Sequence, residues 1–190
     1  MNIFYLHENP KLCAEYHVDK HCVKMIVESC QLLSTAHRLL DGEEYEGRSK
    51  TGRKARRWKL SDERETLLYS ATHINHPSAV WCRASKSNYI WLHNLLIELL
   101  AEYTYRYEKT HKCTELANAL RAVPTNILDT VFTAPTPAMP DEYKVPGNVL
   151  QSYHNYYNGE KQRMFAWKKR QAPSFINNYM KTTEVHYAAV

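Results

Sequence analysis

The fold is decided by residues 9–42, which read NPKLCAEYHVDKHCVKMIVESCQLLSTAHRLLDG. Asn9 is a favourable N-cap, and Pro10 fits the first turn of a helix, where its missing N–H is not needed. Glycine often follows the last turn of a helix, so Gly42 is a natural stop. The stretch therefore predicts one long helix from about Asn9 to Leu40.

A single line of polar side chains runs along this predicted helix. Its members alternate in spacing between four and three residues: His17, His21, Lys24, Glu28, Gln31, Thr35 and Arg38. That spacing places them on one face, and apolar residues cover both flanks. Such a helix should be central, with its polar line facing a cleft or a buried network. The alternative is a solvated strip, although solvated strips are usually less varied in residue type.

The polar line is our candidate functional site. Burying Lys24 beside Glu28 is costly unless both are paired, and proteins accept that cost most often at functional sites. We predict that Glu28, His21 and Lys24 are catalytic. The neighbours on the line predicted to bind substrate are His17, Gln31 and Arg38.

Helix also dominates the rest of the chain, because glycine is rare and alternating β-branched residues are almost absent. The predicted elements are a polar loop over 42–60, a short helix over 61–72, a turn over 73–77, a second long helix from Ser78 to Lys109, a third helix over 114–122, an extended Pro-rich segment over 123–147 that wraps the surface, and a helix over 148–170. The expected fold is all-α, a compact single helical domain over residues 1–190 with two long helices.

Composition excludes several classes of protein. The cysteine count of 5 is odd and no pair forms CxxC, which favours reduced thiols over a disulfide framework. No apolar run is long enough to span a membrane, and the N-terminus lacks a signal-peptide pattern. We expect a cytoplasmic monomer, in the host cytoplasm if the chain is viral. GxGxxG, Walker, HExxH and GxSxG motifs are absent.

Two basic clusters with aromatic residues favour a nucleic-acid partner, as does the net charge of +5. The first cluster lies in the 42–60 loop, and its predicted phosphate and base contacts are Lys50, Arg53, Lys54, Arg56, Arg57 and Trp58. The second is predicted to bind through Lys168, Lys169 and Arg170. Such contacts position a nucleic acid without reading its sequence. Solvated basic surfaces are the alternative for both.

The turn over 73–77 offers a further group of candidate residues. His73 and His76 are three residues apart, and no Cys or Asp nearby completes a metal-ligand set. We therefore predict no metal and no cofactor, and interpret both histidines as substrate-gripping residues. Arg83, on the helix that follows, is predicted to line the cleft opposite the first helix.

The same residues resemble a known family. Asp19-Lys20-His21, with Glu28 seven positions after the histidine, resembles the signature of the pyrimidine-dimer DNA glycosylase (phage endonuclease V) family. Residues 96–107 are similar to the central helix of that family. Its aromatic C-terminal part is matched by Tyr153, Tyr156, Tyr157 and residues 172–175.

This resemblance implies a compact all-α enzyme that acts on damaged pyrimidine nucleotides in DNA. In the family an N-terminal α-amine attacks the sugar C1′, a Schiff base forms, and the glutamate assists, so Glu28 would be that glutamate and His21 the family's histidine. The chain departs from the pattern, with Asn2 in place of the amine-bearing Thr and with Val27 and Gln31 in place of arginines. Lys24 is an alternative source of the amine.

Three functions are consistent with the sequence. The first is an enzyme acting on DNA, double-stranded or with a flipped base, at a pyrimidine base or its glycosidic bond. The second is a transferase or hydrolase of phage type that acts on a modified base or free nucleotide. The third is a non-enzymatic nucleic-acid-binding module, in which the polar line only fixes the packing.

Overall fold

The computed structural model describes residues 1–48 and 51–177. The helices are α1 (Pro10–Tyr16), α2 (Asp19–Asp41), α3 (Arg64–Leu67), α4 (Pro77–Ala84), α5 (Lys86–Tyr107), α6 (Thr114–Ala119) and α7 (Val149–Glu160), with 3-10 turns at Asp141–Tyr143 and Gln162–Met164. The strands are β1 (Glu43–Arg48) and β2 (Lys54–Lys59). Among the described helices, none is both long and apolar enough to cross a bilayer.

Helix α2 is the central element. It packs against α4 and α5, and the start of the chain lies in the same core, with Ile3 and Leu6 fully buried. This position agrees with the one predicted from the narrow polar line. All five cysteines are buried free thiols.

The predicted first helix is interrupted, since the backbone of His17 and Val18 is extended between α1 and α2. Asn9 caps α1 as predicted, accepting from the backbone N–H groups of residues 11 and 12. The cause of the break is Arg106, which is fully buried and bonds to the His17 carbonyl at 2.8 Å and to the Asp19 carboxylate at 2.8 Å. The break turns this carbonyl towards the guanidinium.

The predicted second long helix is also interrupted, at Ser85. The Ser85 backbone is extended, and its Oγ accepts from the Ser87 N–H, which makes it the N-cap of α5. The Ser85 hydroxyl donates to the Thr130 carbonyl at 2.7 Å, which anchors the Pro-rich segment. The chain therefore changes direction between α4 and α5.

The all-α prediction is wrong, because the predicted loop over 42–60 contains a two-stranded antiparallel sheet. Glu43 pairs with Lys59 and Arg48 with Lys54 at the ends of the ladder. Acidic side chains on β1 face basic side chains on β2, and opposite charges across strands stabilise the pairing. The sequence pattern did not predict this hairpin, because its strands lack alternating apolar residues.

Other predicted helices are shorter than expected, and the segment over 123–147 contains one regular element, the 3-10 turn over Asp141–Tyr143. The predicted helix over 61–72 retains only α3. The predicted helix over 148–170 ends at Glu160, after which the chain turns towards the start of α2, where the Asp19 N–H donates to the Ala166 carbonyl at 2.9 Å. This tertiary contact competes with continuation of the helix.

Candidate functional site

The start of the chain lies directly against the polar line of α2. The backbone N–H of Asn2 donates to Glu28 Oε2 at 3.0 Å. The Asn2 side chain is held in turn, since its Oδ1 accepts from the Tyr153 hydroxyl at 2.9 Å and its Nδ2 donates to the Ala138 carbonyl at 2.8 Å. These bonds fix residues 1 and 2 next to the carboxylate.

The second partner of Glu28 is Lys24, one helical turn earlier. Lys24 Nζ lies 3.1 Å from Glu28 Oε1, with side chains 60% and 12% exposed respectively. The carboxylate is thus largely shielded while the amine reaches solvent. This asymmetry suits a proton acceptor beside an accessible amine.

A cavity of about 410 Å³ opens next to this pair. It is lined by Met1, Asn2, Phe4, Lys20, His21, Lys24, Ala138, Tyr156, Lys161 and Met164. Aromatic rings and lysines share the walls, so an anionic ligand with a flat ring would find both a stacking surface and countercharge.

His21 is held rigidly at the wall of this cavity. Its ring stacks on Phe4 with centroids 4.1 Å apart, and its Nδ1 lies 2.7 Å from the Tyr157 hydroxyl. Burial, with the positive charges of neighbours including Lys24, lowers the pKa of His21 to about 3. The imidazole is therefore neutral near pH 7 and acts as a hydrogen-bonding group, not as an acid.

The turn over 73–77 does not line this cavity, but His76 lies near enough to Glu28 for their charges to interact. His76 caps α4, its Nδ1 accepting from the Ser78 N–H. Burial lowers the pKa of His76, the positive charges of the Met1 α-amine and His73 lower it further, and the Glu28 carboxylate raises it. The turn is held by Arg83, whose Nη1 donates to the Ile74 carbonyl at 2.8 Å. The structure thus brings the predicted turn and the predicted polar line together.

Other members of the polar line lie away from the cavity. His17 is buried in the core, where burial lowers its pKa to about 4 and its Nδ1 contacts the Cys13 carbonyl at 2.6 Å. Gln31 is half-buried one turn beyond Glu28 and is not part of the cavity lining. His73, at the far side of the turn, has its Nδ1 2.8 Å from the Thr72 hydroxyl.

Arg38 has a structural role instead of the predicted substrate contact. Its guanidinium donates to the backbone carbonyls of Trp58, Glu65, Leu68 and Tyr69 and to the Glu65 carboxylate. All five N–H donors are therefore used within the protein. They fix the base of the hairpin and the segment around α3 against the end of α2.

The hairpin charges predicted to contact phosphate are mostly paired with one another. Arg56 binds the Glu44 carboxylate with two bonds of 2.5 and 2.6 Å, and Lys54 pairs with Glu46 at 2.9 Å. Trp58 is only 8% exposed and lies under Arg56, so it is not available for stacking.

Of the other predicted hairpin contacts, Arg57 donates to the Arg48 carbonyl and Arg53 is exposed near the turn, while Lys50 lies outside the described residues. The hairpin begins at the far end of α2, roughly 20 Å from Glu28 at 1.5 Å per residue. It does not border the cavity.

The second predicted basic cluster is also largely neutralised. Arg170 pairs with Glu102 at 2.8 Å, and Lys169 pairs with Glu108 at 2.5 Å. Lys168 is exposed, with its Nζ 5.5 Å from the centroid of the Tyr107 ring. Of this cluster, only Lys168 presents its charge to a neighbouring groove.

A cavity of about 860 Å³ lies elsewhere, between α1, α5 and α6. Its walls also carry Lys11, His93 and Glu98, but none of the ion pairs among the described residues joins Lys11 to Glu98, and His93 is bonded to the Ala117 carbonyl. Within residues 1–48 and 51–177, no three His, Cys, Asp or Glu side chains are grouped so as to hold a metal ion. The smaller cavity is distinguished by the close pair of the Lys24 amine and the Glu28 carboxylate beside it.

The site contains residues that sequence reasoning missed. The sequence does not single out Asn2 or Phe4 as candidate site residues, although it indicates an aromatic segment over Tyr153–Tyr157. No pattern in residues 1–6 indicates which helix they contact. Only the tertiary fold brings them to Glu28.

Comparisons with models of known families, with curated proteins and with solved structures found no match for this chain. Nothing in them links it to the pyrimidine-dimer glycosylases. The geometry around Glu28 is therefore the basis for the function proposed below.

Proposed function

We propose that this protein is an enzyme that acts on DNA at a pyrimidine base or its glycosidic bond, with Glu28 as the acid–base group. The observation that carries the proposal is the shielded Glu28 carboxylate, 3.1 Å from the Lys24 amine and 3.0 Å from the Asn2 N–H, beside a cavity with aromatic and basic walls. A carboxylate beside an accessible amine is the arrangement that imine chemistry at a sugar carbon requires.

Lys24 is the amine that this arrangement favours. Glu28 accepts a proton from the Lys24 ammonium, and the neutral amine forms a bond to C1′ while the bond between C1′ and the base nitrogen breaks. The leaving base takes a second proton from the attacking nitrogen, and the proton on Glu28 passes to O4′ as the sugar ring opens, which gives the protonated imine and restores the carboxylate. In a chain that starts at Met1, the Met1 α-amine is a second source, one residue from the N–H that contacts Glu28.

The cavity suits a nucleotide that has been flipped out of a duplex. Phe4 and Tyr156 supply apolar faces, and Lys161, with its Nζ 4.2 Å from the centroid of the Tyr156 ring, supplies charge. The neutral His21 imidazole offers a hydrogen bond to the base or the sugar. Each of these residues has a role in binding that does not require it to change charge.

A second candidate reaction is group transfer or hydrolysis on a modified base or a free nucleotide. The nitrogen that contacts Glu28 Oε2 is the backbone amide of Asn2, which is not a nucleophile. In this reaction the nucleophile would be water or a second substrate, and Glu28 would act as the general base that removes its proton. This reaction leaves no imine.

Reductive trapping separates the two reactions. Ultraviolet-irradiated DNA and DNA with an abasic site are incubated with the protein and borohydride, and a covalent adduct is expected. Peptide mapping then locates the adduct, and Lys24→Ala should abolish it while Lys112→Ala, at an exposed lysine, should not. An adduct at Met1 would move the nucleophile to the α-amine.

Glu28→Gln is the matching test of the acid–base group. The amide can still accept from the Asn2 N–H, so we expect a folded protein with turnover lowered by about 10²-fold or more. Nucleosides and strand breaks are quantified by mass spectrometry and gel. Unchanged nucleosides with wild-type protein, and no adduct, would exclude both reactions.

A further inference from the structure

A second cavity adjoins the candidate site at the beginning of α2. Its volume is about 690 Å³, and it is lined by Asp19, Lys20, Val23, Tyr103, Tyr107, Lys109 and Lys168. Lys20 also lines the cavity beside Glu28, so the two cavities meet at this side chain. Of its lining residues, Lys168 is the one that the sequence predicts as a nucleic-acid contact.

The groove carries excess positive charge. Lys20, Lys109 and Lys168 are all exposed, and no ion pair within the described ranges involves them. Asp19 is the one acid in the lining, and its carboxylate accepts from Arg106 and from the Lys168 backbone N–H. The three ammonium groups are therefore free to bind an anion from solution.

The floor of the groove is aromatic. Tyr103 and Tyr107 are half-buried on α5, with ring centroids 5.0 Å apart and planes inclined by 46°. Val23, on the facing side of α2, is 37% exposed, which is high for an apolar residue on a central helix. Flat rings and an apolar wall under three lysines are the features that bind a nucleobase together with its phosphate.

We infer that a DNA strand crosses the protein over Lys24, Lys161, Lys20, Lys168 and Lys109, and that the Tyr103–Tyr107 groove binds the base of a nucleotide that flanks the one at Glu28. The inference rests on the proposed function for the choice of DNA as partner. It replaces the hairpin as the nucleic-acid interface, because the hairpin charges are paired internally and lie far from Glu28. The occupant is identified by charge complementarity and by aromatic surfaces.

Charge reversal tests the path of the strand. Binding of a fluorescein-labelled duplex with a tetrahydrofuran abasic-site analogue is measured by anisotropy between about 50 and 200 mM salt. Lys109→Glu/Lys168→Glu should weaken binding by about tenfold or more and reduce the salt slope by about two. The control with the same charge change, Lys54→Glu/Lys59→Glu on the hairpin, should stay within about twofold of wild type.

A pair of substitutions at one position tests the base subsite. Tyr107→Leu keeps the apolar volume but removes the ring, and should weaken binding by about tenfold. Tyr107→Phe keeps the ring and should bind within about twofold of wild type. Equal affinity of the Leu and Phe variants would show that no base stacks there.

The inference is overturned if wild-type protein does not bind DNA, if affinity does not depend on salt, or if only the hairpin variant loses affinity. Binding and trapping remain separate readouts. Lysine-dependent binding without any adduct would keep the strand path and remove the imine chemistry. If an adduct forms but Lys109→Glu/Lys168→Glu leaves the affinity for DNA unchanged, the imine chemistry is kept and the strand path is removed.

Discussion

Buried charges in this protein occur in two kinds of surroundings. The Arg106 guanidinium is enclosed by the Glu102 and Asp19 carboxylates and by the carbonyls of Glu15 and His17. Glu28 has one backbone donor and one amine that is mostly in solvent. The first arrangement is complete and holds helices together, whereas the second has room for a ligand. This contrast at the scale of single residues is what supports Glu28, and not Arg106, as the candidate functional ion.

Arg106→Met should therefore lower the free energy of unfolding by about 3–5 kcal/mol, because it removes a buried cation from the Glu102 and Asp19 carboxylates and from the carbonyls of Glu15 and His17. Urea denaturation followed by circular dichroism measures the change. The control Arg121→Met, at an exposed arginine, should change stability by less than about 0.5 kcal/mol. A loss below about 1 kcal/mol at position 106 would show that the two carboxylates find other partners.

At the scale of elements, helix starts and stops were predictable where the signal is local. Asn9 caps α1 as predicted, and the first long helical stretch ends at Asp41, before Gly42. The interruption at His17 was not predictable, because its cause is an arginine 89 residues away along the chain. The hairpin was missed for another reason, since its pairing depends on opposite charges and not on alternating apolar residues.

Ser85 gives a test at the same scale. Ser85→Ala removes the N-cap of α5 and the anchor to Thr130, and should lower the free energy of unfolding by about 1–2 kcal/mol. Ser87→Ala loses only an exposed bond to the same carbonyl and should cost less. Thermal and urea unfolding of the two variants are compared. Equal losses would mean that the cap contributes nothing beyond the contact with Thr130.

At the scale of the whole molecule, acid should destabilise the fold through its buried histidines. Burial lowers the pKa of His17 and His37 to about 4 and that of His21 to about 3. Above about pH 6.5 these groups are neutral in both the folded and the unfolded chain. Below it the unfolded chain takes up protons that the folded protein excludes, so stability falls by up to about 1.4 kcal/mol per pH unit for each histidine.

Urea denaturation at pH 7.5, 6.5 and 5.5 measures this slope. His37→Gln should make the slope shallower, because the imidazole, whose Nδ1 lies 3.0 Å from Arg64 Nη1, is removed. Stability that is constant from pH 7.5 to 5.5 would contradict the expectation.

The candidate site was predictable in part at this scale. Glu28, Lys24 and His21 follow from helical spacing alone, and the structure places all three at or beside one cavity. The contribution of Asn2 and Phe4 was not predictable, because nothing local determines where the first residues of a chain pack. Arg38 lies on the polar line as predicted, but its guanidinium binds carbonyl groups and the Glu65 carboxylate of the protein itself. Helical spacing gives the position of such a side chain and not its partners.

The buried course of residues 1–6 also bears on how the protein should be produced. Met1 lies on the wall of the cavity beside Glu28, and Ile3 is fully buried. An affinity tag fused ahead of Met1 would have to pass through the opening of this cavity, which is the route of the proposed ligand. An N-terminal fusion would therefore act as a tethered competitor, and purification handles belong at the other end of the chain.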